Sequence, residues 1–326
     1  MNTQSTPKFD LYQDVTNRII EALEAGTAPW LKPWKNSSSF GLNLPKNAVS
    51  NRLYSGVNIL LLWLSADKNG YKQSKWITAR AANELGGHVR KGEKATLVVS
   101  YRPTEREKLD DNGNVIIDEN GNPEMEKIAF LNKHYVFNIE QCEKLPAEMY
   151  DSVPISPPET EAEQYTEYND IRTILKGMEL NVNIRPSNRA YYCSNSDTVT
   201  MPEKKQFNTM NDFYSTLLHE IVHATGHKKR LDRVGISSGK SRFGNKIYAF
   251  EELIAEMGSA FLCAHIGFNT VPQNASYIDS WIKVLKEDKR AIFKAAGKAR
   301  NACDYMLDTL KVERDYQWYY PDEDAA

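Results

Sequence analysis

Three of the six histidines fall in one short stretch, HEIVHATGH, at positions 219–227. His219 and His223 are four residues apart, so on a helix both imidazoles project from one face, with Cβ atoms about 6 Å apart. This spacing lets both rings bind one Zn²⁺ at about 2.0 to 2.1 Å. Glu220 lies about 100° further round the helix, where it can reach an activated water without binding the ion. The H-E-x-x-H pattern therefore predicts a zinc peptidase site with Glu220 as the catalytic base.

A catalytic zinc ion needs a third protein ligand. His227 directly follows the helix-breaking Gly226 and misses the H-x-x-G-x-x-H spacing, so we interpret it as structural or supporting. The stretch ELIAE at 252–256 is similar to the E-x-x-A-D/E signature of gluzincins. In that interpretation Glu252 binds the metal and Glu256, one turn later, orients a ligating histidine. Glu251 and Glu256 stay open as alternatives for the third ligand. The ligand types predict Zn²⁺, with Mn²⁺ as the alternative.

Two helices and a strand must position these side chains. Thr209 and Asp212 resemble a capping box at the start of the helix that carries HEIVH. A second helix, predicted over about 248–265, carries the candidate carboxylates, and one long helix is predicted over 276–310. The stretch 196–202 is predicted to be an exposed edge strand that pairs an extended peptide by β-addition.

The N-terminal part of the chain is basic. Residues 1–103 carry 14 Lys and Arg against 7 Asp and Glu, a net charge of +7. Cations follow a phosphate backbone, and exposed aromatic rings stack on unpaired bases at about 1 to 3 kcal/mol each. The interleaved tryptophans and cations therefore favour single-stranded DNA over duplex; the alternative is that the tryptophans are core and the lysines a solvated surface. The candidate DNA-binding residues are Trp30, Lys32, Trp34, Lys35, Arg52, Lys72, Lys75, Trp76, Arg90 and Lys91.

Length and charge pattern predict two domains. A chain of 326 residues is long enough for about two domains, each able to bury its own core. Residues 104–170 carry 5 basic against 17 acidic side chains, a net charge of −12. Within them, 104–127 is predicted to be an acidic hairpin with two Asn-Gly turns, to which we attach no function. The proline-rich acidic stretch 146–163 is predicted to be the interdomain linker.

Composition also predicts the compartment. The four cysteines lie far apart and form no C-x-x-C pair, as expected in a reducing environment. No apolar run approaches the roughly 20 residues that span a bilayer, and the first residues lack a signal-peptide pattern. These features predict a cytoplasmic protein with no membrane partner.

Several long motifs resemble one known family, the ArdC antirestriction proteins, whose N-terminal domain is also found in plasmid primases of the TraC type. The motifs are APWLKPW, KWITARAANELGGHVRKGEKAT, FYSTLLHEIVHATGHKKRLDR and YAFEELIAEMGSAFLCAHIG. The resemblance implies an α+β protein with a mixed α/β single-stranded-DNA-binding domain at 8–145. The linker at 146–163 would join it to a zincin-like, gluzincin-type metallopeptidase domain at 164–318. It also implies carriage on a conjugative plasmid or mobile element and protection of incoming DNA from host restriction.

The protein partner is left open by the sequence. A protein bound to DNA and a component of the host restriction system are both candidates for a peptidase substrate. The alternative function is a non-enzymatic single-stranded-DNA-binding protein whose metal is structural. A primase or nuclease is disfavoured, because no carboxylate cluster outside the zincin helices fits two-metal phosphoryl chemistry.

Overall fold

The computed structural model describes residues 9–30, 43–110, 112–150, 161–239, 245–266 and 277–310, without the side chains of 102, 103, 127–129 and 161–168. These residues form two α+β halves in succession, as the sequence predicts. None of the described helices is both long and apolar enough to cross a membrane.

The N-terminal half contains three helices and six strands among its described residues. Its main sheet has the strand order β1-β2-β5-β4, in which only the β1–β2 pair is parallel, and β3 pairs with β6 in a separate ribbon. The elements are α1 (Leu11–Glu24), β1 (Lys46–Asn47), α2 (Val57–Asn69), β2 (Lys75–Ile77), α3 (Ala79–Glu84), β3 (His88–Val89), β4 (Thr96–Glu107), β5 (Met125–Asn138) and β6 (Cys142–Glu143).

The C-terminal half places a small sheet beside a group of helices. The sheet has the order β7-β9-β8, with β7 parallel and β8 antiparallel to β9. The elements are α4 (Glu161–Gly177), β7 (Asn181–Ile184), β8 (Tyr191–Cys193), β9 (Thr198–Met201), α5 (Met210–Thr225), α6 (Val234–Ser237), α7 (Lys246–Ile266), α8 (Ile278–Glu287) and α9 (Ala291–Asp308). Helix α4 begins inside the predicted linker, of which 151–160 lies outside the described residues.

Side chains set the ends of the first two helices. Asp10 caps α1, because its carboxylate accepts the Gln13 backbone N–H at 3.2 Å. Helix α2 ends at Gly70, whose φ of 71° lies in the left-handed region that glycine adopts without strain.

Helix α2 also closes part of a sheet edge. Strand β4 is the last strand of its sheet, so one row of its backbone groups has no neighbouring strand. The side chain of Asn58 fills that position at Val99: its amide donates to the Val99 carbonyl at 2.8 Å and its oxygen accepts the Val99 N–H at 2.8 Å. A buried side-chain amide thereby replaces one residue of a strand.

The largest hydrophobic core spans both halves, whereas the sequence suggested a separate core for each domain; two smaller clusters lie within the N-terminal half alone. Four ring pairs cross between the halves: Tyr12 with Phe293 at 4.9 Å, Trp30 with Trp281 at 5.5 Å, Trp63 with Phe261 at 5.8 Å, and Tyr101 with Phe293 at 6.4 Å between centroids. Thr16 also donates its hydroxyl to the Lys289 carbonyl at 2.7 Å. The halves are therefore two domains by sequence and one body by packing.

Burial corrects three of the predicted DNA-binding residues, Trp30 in the core between the halves and Trp76 and Lys75 within the N-terminal half. Trp30 and Trp76 are 0% and 1% exposed, so their rings cannot stack on bases in this fold. Lys75 is also buried, because its ammonium donates to the Met149 carbonyl at 2.8 Å. Indole rings are the largest apolar side chains. Burying them therefore stabilises the fold more than the stacking on bases that was predicted for exposed rings.

Of the other predicted DNA-binding residues, four are at least partly exposed and three lie outside the described residues. Lys72 and Lys91 are exposed, and Arg52 is half-buried. Arg90 is also half-buried and pairs with Glu93 at 2.7 Å. The remaining three, Lys32, Trp34 and Lys35, lie outside the described residues.

Two further predictions about elements were wrong. The stretch 196–202 was expected to be an edge strand, but β9 lies between β7 and β8, and its Val199 and Met201 are fully buried. The helix predicted over 276–310 is two helices, α8 and α9. They are separated at Asp288, which adopts an extended backbone and accepts the Arg290 N–H at 2.8 Å. Aspartate competes with helical hydrogen bonding in this way.

Candidate metal centre

Helix α5 carries the H-E-x-x-H residues in its buried last turns. The Thr209 hydroxyl accepts the Asp212 N–H, and the Asp212 carboxylate accepts the Thr209 N–H, both at 3.1 Å, which confirms the predicted capping box. His219, Glu220 and His223 are 5%, 7% and 8% exposed. These polar groups are buried where unpaired polar atoms are costly, so they need partners.

Helix α7 supplies those partners because it approaches α5 closely. A Cβ atom on Gly258 would lie 2.9 Å from Cγ1 of Val222, inside normal contact distance. The absence of a side chain at 258 thus sets the distance between the two helices. It brings the carboxylates of α7 within reach of the histidines of α5.

Glu252 is the carboxylate that faces both inner histidine nitrogens. Its Oε2 lies 3.6 Å from His219 Nε2, and its Oε1 lies 3.5 Å from His223 Nε2. The two Nε2 atoms are 3.2 Å apart. One donor atom from each of the three residues lies within 4.8 Å of the others. Among the described residues, the structure thus brings together the two histidines and the glutamate that the sequence favoured.

The outer nitrogens of the histidines face two other carboxylates. His219 Nδ1 lies 3.7 Å from Glu256 Oε1, and His223 Nδ1 lies 3.4 Å from Glu251 Oε1. The Glu251 contact is a long hydrogen bond that can hold a proton on His223 Nδ1. Glu256 is too far from His219 Nδ1 for a hydrogen bond, but it places a negative charge beside that nitrogen. The sequence assigned this supporting role to Glu256 and left Glu251 as an alternative ligand.

The charges of the site reinforce one another. Burial opposes ionisation of Glu252, but His223 and His219 outweigh it and hold the pKa of that carboxyl below its usual range. Burial also opposes protonation of His223, but Glu252 and Glu251 outweigh it and raise its pKa to about 10. In the metal-free protein, a proton therefore occupies the position that faces Glu252.

Glu220 lies against the edge of the C-terminal sheet. Burial raises the pKa of its carboxyl, opposed by His219 and His223, and the carboxylate accepts a backbone hydrogen bond from Tyr192 of β8. Strand β8, and not β9, is therefore the edge strand beside the site.

A buried polar network fixes β8 in this position. The Tyr192 hydroxyl donates to Asp197 at 2.7 Å, and the Arg230 guanidinium donates to both oxygens of Asp197 at 2.8 and 3.0 Å. His227 belongs to this network, with Nδ1 4.0 Å from Asp197. His227 therefore helps to anchor β8 and does not join the group around Glu252, in keeping with its interpretation as a structural residue.

Sequence reasoning missed three residues around the carboxylates. Tyr248, one turn before Glu252 on α7, donates a hydrogen bond to that carboxylate, and its hydroxyl lies 3.1 Å from that of Tyr277. Its spacing of four from Glu252 was a usable signal. Arg233 binds Glu251 from the loop after α5. Nothing in the sequence separates Arg233 from the other basic residues of that loop.

The fold and the site define a two-domain protein whose C-terminal half is a zincin-like metallopeptidase domain. Residues 169–298 match the model of that zincin-like domain, and residues 9–137 match the model of the N-terminal domain of anti-restriction factor ArdC. The chain belongs to the ArdC antirestriction family.

Solved structures and relatives agree with this assignment. The metal-free crystal structure of antirestriction ArdC from plasmid R388 is 38% identical, with a TM-score of 0.71, over 95% of this chain and 100% of that chain. The Mn(II)-bound structure of the same protein has 36% identity, the same coverage and a TM-score of 0.68. The uncharacterized protein y4eC of Sinorhizobium fredii is 36% identical over 94% of this chain and 95% of its own length. A DNA primase TraC of Escherichia coli is 35% identical over 92% of this chain, which spans only 20% of TraC.

Proposed function

We propose that this chain binds single-stranded DNA with its N-terminal half and holds a divalent metal, Zn²⁺ or Mn²⁺, in its C-terminal half. Glu220 makes that metal centre a peptidase that protects incoming plasmid DNA from host restriction. The observation that supports the proposal best is the convergence of His219, His223 and Glu252 on one buried position beside Glu220.

The donor atoms fit a divalent cation. The two Nε2 atoms face each other across 3.2 Å, and Glu252 adds a carboxylate to the same position. In the metal-free protein the raised pKa of His223 places a proton there beside Glu252, and a divalent cation would take the place of that proton. Two imidazoles and one carboxylate are the ligand set of gluzincin-type catalytic zinc, and the ArdC protein of R388 was solved with Mn(II). His219, His223 and Glu252 would hold the ion.

Residues of this chain supply the rest of a hydrolytic site. A bound divalent ion supplies Lewis acidity and makes a nearby water more acidic. Glu220 accepts the proton of that water, and because burial raises the pKa of its carboxyl, it is a stronger base than an exposed glutamate. Glu251 orients the His223 ring through its hydrogen bond with Nδ1, and Glu256 places a negative charge beside His219 Nδ1. Strand β8 offers its outer backbone edge to an extended peptide.

The positive net charge of the N-terminal half is the basis for proposing that this half binds DNA. Residues 1–103 carry a net charge of +7, and Arg52, Lys72, Arg90 and Lys91 bring part of it to the surface of the described chain. Phosphate contacts by such cations bind without regard to sequence. A DNA-bound protein or a component of the restriction system is the proposed peptidase substrate, since DNA binding would bring the metal centre close to such proteins.

Substituting Glu220→Gln tests the catalytic part. Zinc binding and single-stranded DNA affinity should stay within about twofold of the wild type. Peptidase activity, measured on a mixture of DNA-bound proteins, should fall at least about 100-fold, since general-base catalysis contributes about that much.

A non-enzymatic role is the second candidate, because the same three donors join α5 and α7 and so can staple the C-terminal core. Full protection of transferred plasmid DNA by the Glu220→Gln protein would favour this second function. Loss of protection together with proteolysis would favour the first.

A further inference from the structure

Arg233 and Glu251 form a buried ion pair beside the metal centre. Each side chain is 4% exposed, and the Arg233 guanidinium contacts both carboxylate oxygens, with Nε at 3.0 and 3.1 Å and Nη2 at 2.6 Å from Oε1. The same guanidinium donates to the Thr225 hydroxyl at 2.6 Å and to the Val222 carbonyl at 2.7 Å. Arg233 therefore joins Glu251 to the end of the helix that carries His223.

Glu251 is the second carboxylate of α7 that lies against His223, on the outer-nitrogen side of its ring. It precedes Glu252 on α7, is 3% exposed, and reaches His223 Nδ1 at 3.4 Å. A buried carboxylate without a counter-charge is costly and seeks the nearest cation. Its neighbour Glu252 has no arginine partner among the described ion pairs and faces both Nε2 atoms.

We propose that Arg233 decides which of the two adjacent carboxylates binds the metal. By occupying both oxygens of Glu251, it keeps that carboxylate as the acceptor for the outer nitrogen of His223 and leaves Glu252 as the third ligand. Arg233 is in this sense a positioning residue that fixes the ligand set. The inference rests on the proposed metal site and adds the residue that selects its carboxylate.

The backbone around the pair leaves room for this contact. A Cβ atom on Gly235 would lie 2.7 Å from Glu251 Cβ and 2.8 Å from its Oε2, and one on Gly226 would lie 3.0 Å from Arg233 Cζ. Both glycines have ordinary backbone angles, so close approach explains them better than a turn does. The residue that ends α5 and a residue of α6 thus lack side chains where the ion pair needs the space.

The test uses the full chain, Zn²⁺ competed against a chromogenic chelator, and the visible absorption of bound Co²⁺ as a probe of coordination. Arg233→Met should lower zinc affinity by about 10- to 100-fold, the usual effect of losing a group that supports a metal ligand. It should also shift the Co²⁺ bands, because the freed Glu251 enters the coordination sphere. Arg233→Lys keeps the charge but not the two-oxygen contact. Its zinc affinity and Co²⁺ bands should lie between those of the wild type and those of Arg233→Met.

Arg230→Met is the matched control. Arg230 lies in the same loop, is also 4% exposed and also pairs with a carboxylate, but its partner Asp197 does not contact the histidines on the α5 face. This variant should lose stability while keeping the zinc affinity and the Co²⁺ spectrum of the wild type. It separates the effect on the ligand set from the general cost of losing a buried arginine.

The double variant Arg233→Met, Glu251→Gln identifies the cause. If the freed carboxylate is responsible, its neutral amide should restore zinc affinity to within about threefold of the wild type and return the Co²⁺ bands. An Arg233→Met protein with unchanged affinity and spectrum, or a double variant no better than Arg233→Met, would overturn the proposal. If Arg233→Met does not fold, the same comparison is made between Arg233→Lys and the double variant Arg233→Lys, Glu251→Gln. A wild-type chain that binds no zinc at all would instead refute the metal site itself.

Discussion

Val222 on α5 packs directly onto the bare backbone of Gly258 on α7, and this contact sets the distance between the histidines and Glu252. The two helices are linked again nearby, where the Ser259 hydroxyl donates to the Ser215 carbonyl at 3.1 Å. The geometry of the metal centre is thus fixed by the packing of two helix backbones as much as by the ligands.

Gly258→Ala should therefore weaken the site from a distance. The added methyl would push against Val222 and cost about 1 to 3 kcal/mol of unfolding free energy, as overpacking usually does. Zinc affinity should fall as the helices separate. Chemical denaturation and zinc titration measure the two effects, and Val222→Ala in the same chain should restore both. Gly297→Ala on α9, where a Cβ would contact nothing within 4 Å, is the control and should leave both unchanged or improved.

Zinc binding should depend on pH through His223. Its pKa is raised to about 10 in the metal-free protein, so at pH 7 a proton holds the position that the ion takes. Apparent zinc affinity should rise about tenfold per pH unit between pH 6.5 and 8.5, with about one proton released per ion. Titration at several pH values in weakly buffered solution measures both quantities. A flat affinity profile with no proton release would contradict the assignment.

Deprotonation of His223 should strengthen zinc binding but lower the stability of the metal-free fold. Because the folded pKa of His223 lies above its value in an unfolded chain, the stabilisation is complete below about pH 6.5 and is lost as pH rises through about 10. The thermal midpoint of the metal-free protein should therefore fall as pH rises from 7 to 10. The fall should be smaller in His223→Asn, which serves as the control.

The shared core predicts a single unfolding transition. Trp30 and Trp281 belong to different family domains, but each is fully buried against the other. Calorimetry should show one cooperative transition, and Trp30→Ala should lower its midpoint as a whole, at a cost of about 3 to 5 kcal/mol. Phe9→Ala, at a ring that is 62% exposed, is the control and should change little. Two resolved transitions, with only one moved by Trp30→Ala, would show that the halves fold separately.

Single-stranded DNA affinity should follow the surface cations and not the buried tryptophans. Lys72→Gln with Lys91→Gln should weaken binding and reduce the slope of log affinity against log salt by about 0.7 for each phosphate that the protein no longer neutralises. Lys205→Gln with Lys246→Gln, two exposed cations of the C-terminal half, controls for net charge. Trp76→Phe should lower stability but keep the salt slope. Fluorescence anisotropy with an oligonucleotide at several salt concentrations measures all four proteins.

Local patterns predicted much of the site. The capping box at Thr209 and the spacing of His219 and His223 are properties of one helix, and helical geometry alone brings the two rings together. Glu252 was favoured on a short motif, and a sequence could not separate it from Glu251. Consecutive residues differ by only about 100° on a helix, so their roles depend on what packs against them, here Arg233.

Long-range packing accounts for what the sequence did not predict. An aromatic residue among lysines gives the same sequence pattern whether its ring is buried or exposed, so the sequence left open whether Trp30 and Trp76 are core residues or bind DNA. Strand β9 was expected at an edge, but β8 pairs with one side of it and β7, from the stretch before β8, pairs with the other. Neither arrangement leaves a periodic signal in the local sequence.

The crossing rings Tyr12, Trp30 and Trp63 limit how this protein can evolve by recombination. A crossover within 146–163 that joined its first half to an unrelated second half would leave those rings facing a foreign surface, with about 150 to 250 Å² of aromatic area each to cover. Inheritance as an intact block avoids that cost. A TraC protein matches 92% of this chain, and the match covers 20% of TraC. This is the pattern expected if the two halves are inherited together.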